Sequence, residues 1–144
     1  MAITFNGEIY NYKELRDPLI KLGYIFKTNS DTEVLCALYL EYGKNFVSKL
    51  NGMFSFVIYD RKIKSLFIAR DRLGQKPLYY YRDSNSIEFA SQVKQLKIGN
   101  SFTINDRDVQ PIFKYKYIPE PDTIHNEVKK FPSGCYGGGG IQSK

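Results

Sequence analysis

Four runs rich in β-branched and aromatic residues stand close together in the middle of this chain, and no other feature limits its fold so strongly. "MFSFVIYD" (53–60) and "SLFIARD" (65–71) flank the polar turn "RKIK", and "PLYYYR" (77–82) and "SIEFAS" (86–91) flank "DSN". Such runs, separated by so few turn residues, pair as antiparallel hairpins. Between the two hairpins lies "RDRLGQKP" (70–77), a tight corner whose backbone is set by Gly74 and Pro77.

Helical patterns precede the strands. Asn11 with Glu14 three residues later reads as a capping box; Leu15, Leu19 and Leu22 share a face, and Gly23 ends the run. Pro18 inside this pattern predicts a kink or an early break. "YIFKT" (24–28) reads as a short strand. A second helix follows through "TEVLCALYLEY" (32–42), with Asp31 or Ser30 as N-cap and Gly43 as its end. It is apolar almost all round, which predicts burial on more than one side. "NFVSKLN" (45–51) and "QVKQLK" (92–97) read as short helices, and "NDRDVQPIFKYKYI" (105–118) as a helical stretch spoiled by Pro111. "PEPDT" (119–123) is a loop and "FPSGCY" (131–136) is strand-like. The four glycines after Tyr136 predict a flexible end over Gly137–Lys144. Helices beside a mostly antiparallel sheet make the fold class α+β, and 144 residues allow one domain at most.

Charge and composition exclude several roles. The net charge of +6 comes from scattered basic residues with acids nearby, which argues against nucleic-acid binding. No apolar run approaches a membrane span and no signal-peptide pattern follows Met1, so no membrane partner and a cytoplasmic location are expected. Cys36 and Cys135 are too few for a disulfide framework. Cys36, inside an apolar helix, reads as an inert core residue, and His125, the one histidine, as a surface residue.

The chemistry centres on "ITFNGEIYNY" (3–12), a short apolar strand that stops on Asn6-Gly7, carries Glu8 and turns into a helix. Alone, Asn-Gly between apolar residues is a hairpin turn. At a strand end it has another use: the Gly7 N–H and the Asn6 amide can converge on one oxygen, as an oxyanion requires. Glu8 and Asp31 could then hold a substrate ammonium from two sides, although a residue such as Asp31 is more often only a helix cap.

"FNGEIYNYKELR", "KTNSDTEVL", "LNGMFSFVIYD" and "ARDRLGQKPLYY", in this order and spacing, closely resemble the glutaminase domain of asparagine synthetase, a class II glutamine amidotransferase of the N-terminal-nucleophile type. "YIPEPDTIHNEVKKFPSGCY" resembles the segment leading from that domain towards the synthetase half. The resemblance implies an incomplete αββα sandwich. Residues 1–118 would form the partial amidotransferase domain, 119–136 the segment leading away, and 137–144 the Gly-rich tail. It also implies an oxyanion hole at Asn6 and Gly7 and binding of the glutamine α-amino end by Glu8 and Asp31. Gly74 and Pro77 in Arg70–Tyr80 are then architectural. The family's nucleophile is an N-terminal cysteine, whereas here Ala2 follows Met1, and the arginine-bearing segment before the family's "NGE" has no counterpart. The expectation is a piece of a glutamine-dependent asparagine synthetase-like enzyme that binds glutamine, is inactive alone, lacks part of its sheet and self-associates. The missing N-terminal segment or the synthetase domain would be its partner. No cofactor or metal is expected in this chain, because ATP and magnesium belong to the synthetase domain. A non-catalytic module that binds glutamine or a partner subunit is the alternative.

Overall fold

Along one strand Phe54, Phe56 and Ile58 alternate with Ser55, Val57 and Tyr59, and this alternation sorts the layers of the molecule. In the computed structural model, which describes residues 1–96, 99, 101–105 and 116–140, the strand is β2 (Gly52–Asp60). It lies between β1 (Ala2–Ile9) and β3 (Ser65–Arg70), and β7 (Tyr136–Gly140) adds to β3. The antiparallel order is β1-β2-β3-β7. Helices α1 (Tyr12–Lys21) and α2 (Asp31–Tyr42) and the 3₁₀ segment Gly43–Lys49 cover one face. Leu19, Val34, Leu35, Leu38 and Phe46 meet Phe54, Phe56, Ile58 and Phe67 there. The Phe46 ring stacks on Phe56 at 5.8 Å and tilts over Phe67 at 5.9 Å. Each such side chain contributes about 1.5–3 kcal/mol by leaving water.

A second antiparallel sheet, in the order β5-β4-β6, is built from β4 (Tyr79–Arg82), β5 (Ile87–Ala90) and β6 (Val128–Lys130), with the short helix α3 (Val93–Leu96) beside it. It approaches the first sheet on the face away from the helices, where the Ser55 hydroxyl donates to the Pro77 carbonyl at 3.2 Å. Both hairpins and the α+β class expected from sequence are present.

The corner between them is held by charge as well as by glycine and proline. The Asp71 carboxylate accepts backbone N–H bonds from Phe54, Leu73, Gln75 and Lys76 at 2.9–3.2 Å. The Arg70 guanidinium donates to the carbonyls of Gly74, Lys76 and Phe131 and to Glu120. Glu120 also pairs with Lys130 at 3.1 Å. Residues 119–136 are thereby tied to the corner, with the Arg70 N–H donating to the Cys135 carbonyl.

Several expectations are corrected: the Asn11 side chain makes no capping bond to α1, and of "FPSGCY" only Tyr136 lies in a strand. β1 does not stop at Asn6-Gly7 but runs on to Ile9 in unbroken register with β2. Helix α1 does not break early at Pro18, which is exposed, so water can reach the Glu14 carbonyl left without a proline donor. "YIFKT" is not a strand. Tyr24 and Phe26 pack on the core, but among the described residues no strand pairs with this segment, and the Lys27 and Thr28 amides donate instead to the Glu33 carboxylate. The glycines expected in a flexible tail form β7: Gly137–Gly140 pair with Ser65–Ile68. At Gly138 the strands approach so closely that a β-carbon would lie 2.1 Å from the Leu66 carbonyl oxygen, which explains glycine at that position, while the other three glycines leave open space for one. Finally, His125 is buried, its ring 5.7 Å from Phe102 and its backbone N–H bonded to the Thr123 hydroxyl. The reading of 105–118 falls mainly outside the described residues, as do 141–144.

Candidate functional site

Geometry at the end of β1 follows from the alternation of its hydrogen bonds. The Tyr10 N–H donates towards β2, to the Asn51 carbonyl at 2.8 Å, and the Ile9 N–H points the opposite way, to the Asp31 carboxylate at 3.0 Å. Because the register is unbroken back to Ala2, the same alternation places the Gly7 N–H on the outer side of β1, in line with that of Ile9. β1 is the last strand of its sheet among the described residues, so no strand there takes up this side.

Gly7 is required by its backbone. Its φ is +146°, and a β-carbon there would lie 2.1 Å from the Met53 carbonyl oxygen. Side chains alternate across the strand: Ile3, Phe5 and Ile9 join the helix-side core, leaving Thr4, Asn6 and Glu8 for the other face. Thr4 and Asn6 line a cavity of about 460 Å³ between the sheets, with Ser55, Glu88 and Leu96 among its other walls. Glu8 is exposed.

Asp31 reaches this edge from α2. Ser30, not Asp31, is the N-cap: its hydroxyl accepts from the Thr32 N–H at 3.1 Å. Asp31 opens the helix, where a carboxylate is favoured by the N-terminal dipole, and its Oδ2 takes the Ile9 N–H. Glu33, three residues after the cap, binds the Lys27 and Thr28 amides and the Thr28 hydroxyl. Those bonds, the hydroxyl's first, hold its carboxyl below the usual range and fasten the incoming loop to the helix start. The Ser30–Glu33 spacing carries this information in the sequence, whereas at Asn11–Glu14 the same spacing yields no side-chain cap.

The structure brings Asn6, Gly7, Glu8 and Asp31 together at one strand end. Two backbone steps separate the Gly7 N–H from the N–H that anchors Asp31, and Glu8 lies between them. Two carboxylates and an outward-facing amide at one edge suit a ligand carrying a cationic group at one end and a carbonyl at the other. The cysteines lie elsewhere. Cys36 is half-buried in α2, and burial pushes its thiol up, which disfavours the thiolate. Cys135 is exposed but follows Asn6, Ser55 and Arg70 across the sheet, about three strand spacings or ~14 Å from β1. Among the described residues no helix is long and apolar enough to cross a membrane.

Comparison with known proteins matches residues 1–142 to the glutamine amidotransferase domain family. Asparagine synthetase (glutamine-hydrolysing) 1 of Bacillus subtilis is 45% identical over 133 residues, covering 92% of this chain and 21% of the relative. A putative asparagine synthetase (glutamine-hydrolysing) of Methanocaldococcus jannaschii is 40% identical over 134 residues, covering 90% and 25%. The chain thus spans between a fifth and a quarter of the length of these relatives. Among solved structures, the glutamine phosphoribosylpyrophosphate amidotransferase of B. subtilis matches with a TM-score of 0.61 and 28% identity over 72% of this chain and 24% of that one.

Proposed function

Because the chain belongs to the glutamine amidotransferase domain family, with the α+β fold of the N-terminal-nucleophile amidotransferases, we propose that its β1 edge is the glutamine-binding half of a glutaminase site in an asparagine synthetase-like enzyme. In this reading Glu8 and Asp31 hold the α-amino group of glutamine, and its side-chain carbonyl lies against Asn6 and Gly7. A thiolate attacking the amide carbon drives an electron pair onto the carbonyl oxygen. The Gly7 N–H and the Asn6 amide stabilise that charge; collapse of the intermediate, with a proton delivered to the leaving nitrogen, expels ammonia and leaves a thioester that water hydrolyses to glutamate and free thiol. Neither cysteine of residues 1–144 is placed to attack, so the thiol is assigned to a residue outside them, and these residues alone hydrolyse little glutamine. The ammonia is passed to ATP-activated aspartate at a synthetase site, also outside them, where ATP and magnesium are used. The setting is cytoplasmic.

The observation that supports this reading is the Ile9–Asp31 hydrogen bond, which ties the Asp31 carboxylate to the backbone one residue from Glu8. Glutamine titrated into the isotope-labelled chain should shift the amides of Gly7, Glu8 and Asp31. Glu8→Gln and Asp31→Asn should each weaken binding by about tenfold, the loss of one charge-assisted bond. Resonances that ignore glutamine, or neutralised variants that bind as well as the native chain, would defeat the assignment.

A further inference from the structure

We propose that Asn11 is a positioning residue for the Gly7–Glu8 edge, clamping the turn before β2 onto the end of β1; the functional half of this proposal rests on the glutaminase reading above. Asn11 stands where an N-cap belongs, yet its side chain makes no capping bond to α1. The carboxamide is used elsewhere, at both ends. Nδ2 donates to the Lys49 carbonyl at 2.9 Å and Oδ1 accepts from the Asn51 N–H at 3.0 Å. With the Tyr10 N–H on the Asn51 carbonyl at 2.8 Å, three bonds stitch residues 10–11 to 49–51. A cap by an asparagine contributes about 1 kcal/mol, and the chain forgoes it here to make a contact remote in sequence.

The clamp sits beside a close approach of two backbones. Immediately after it, a β-carbon on Gly52 would lie 2.2 Å from the Glu8 carbonyl oxygen. On the opposite side of the same strand end, Asp31 holds the Ile9 N–H. Glu8 is therefore fixed between two restraints, the Asp31 carboxylate on the open edge and the Asn11 carboxamide on the β2 side. Loss of the clamp leaves residues 49–51 free to move away and lets the end of β1 shift relative to α2. The distances from Gly7 and Glu8 to Asp31 are then no longer set.

The test uses the full chain and two NMR readouts, hydrogen exchange of the Ile9 amide without ligand and glutamine affinity from the Gly7 shift. Asn11→Ala removes both bonds. The near-isosteric Asn11→Asp keeps the acceptor for Asn51 and loses the donor to Lys49. Asn126→Ala, which removes bonds to the Thr103 hydroxyl and the Ile104 carbonyl, controls for general loosening. Asn11→Ala should speed Ile9 exchange and weaken glutamine binding, each by about tenfold, with Asn11→Asp between it and the native chain and Asn126→Ala leaving both unchanged. Ile9 exchange unaltered in both Asn11 variants, well below their melting range, would overturn the clamp whatever glutamine does. Equal acceleration in Asn126→Ala would overturn it as well, by making the effect nonspecific. A native chain that ignores glutamine would instead defeat the glutaminase reading, and Ile9 exchange would still decide the role of Asn11.

Discussion

Gly7→Ala should cost at least about 3 kcal/mol of stability, more than most single substitutions at an exposed edge. Two penalties combine. At φ +146° an alanine is in a region that L-residues rarely occupy, which costs about 1–3 kcal/mol. The added methyl would also lie 2.1 Å from the Met53 carbonyl oxygen and 2.7 Å from the Phe54 α-carbon. Both obstacles are backbone, so no side-chain rotation relieves the clash, and β1 must pull away from β2 at the Gly7–Phe54 pair. The midpoint of chemical denaturation should fall accordingly, with the slope little changed. In the surviving folded fraction the Gly7 N–H is displaced from its place on the outer side of β1, and the glutamine-dependent shift of that amide should vanish. A Gly7→Ala chain with the native midpoint would mean that the strands do not meet as described.

How much of this was legible beforehand depended on whether the physics was local. The two hairpins could be read because β-branched and aromatic residues alternate over whole strands and the turns between them are short. The family motif pointed to Asn6, Gly7, Glu8 and Asp31 as candidates; the first three follow one another in β1, and Asp31 accepts the Ile9 N–H. Other elements depended on a neighbour that no window of sequence contains. Four glycines look like a linker in isolation, but β3 supplies a ladder for them and approaches Gly138, the partner of Phe67, so closely that a β-carbon there would strike the Leu66 carbonyl oxygen. "YIFKT" has the composition of a strand and, among the described residues, no strand to pair with. Asn11 has the composition of a cap, and its partners lie 38 and 40 residues away. His125 looked like a loop residue because Phe102, which packs on it, is 23 positions earlier. The corner at 70–77 was read from its glycine and proline, whereas the charged pair beside them makes most of its bonds.

That charged pair gives the last expectation. Asp71 is 2% exposed, and burial pushes its carboxyl up, but the four backbone N–H bonds from Gln75, Lys76, Phe54 and Leu73 outweigh burial and hold it below the usual value of 3.8. Burial likewise pushes Glu120 up, and its bonds to Arg70 and Lys130 bring it below 4.5. A carboxyl whose pKa is lower in the folded chain than in the unfolded one contributes stability above the unfolded value. That contribution is lost as pH falls through the folded value. Stability should therefore be level above about pH 5 and decline steeply below about pH 4. In Asp71→Ala the four amides lose their acceptor, and the corner, the Phe54 end of β2 and the start of β4 loosen together. The expected cost is about 4 kcal/mol, or a fall of roughly 10 °C in melting temperature. Asp71→Asn separates charge from shape: one oxygen can still accept, while the new NH₂ faces amides that already donate, at a cost of about 2 kcal/mol. Both variants should also lose part of the native chain's decline in acid, because the group responsible for it is gone. If Asp71→Ala became less stable at pH 7 while keeping the full acid decline, the steepness would belong to Glu120 and its partners, and Glu120→Gln would then remove it.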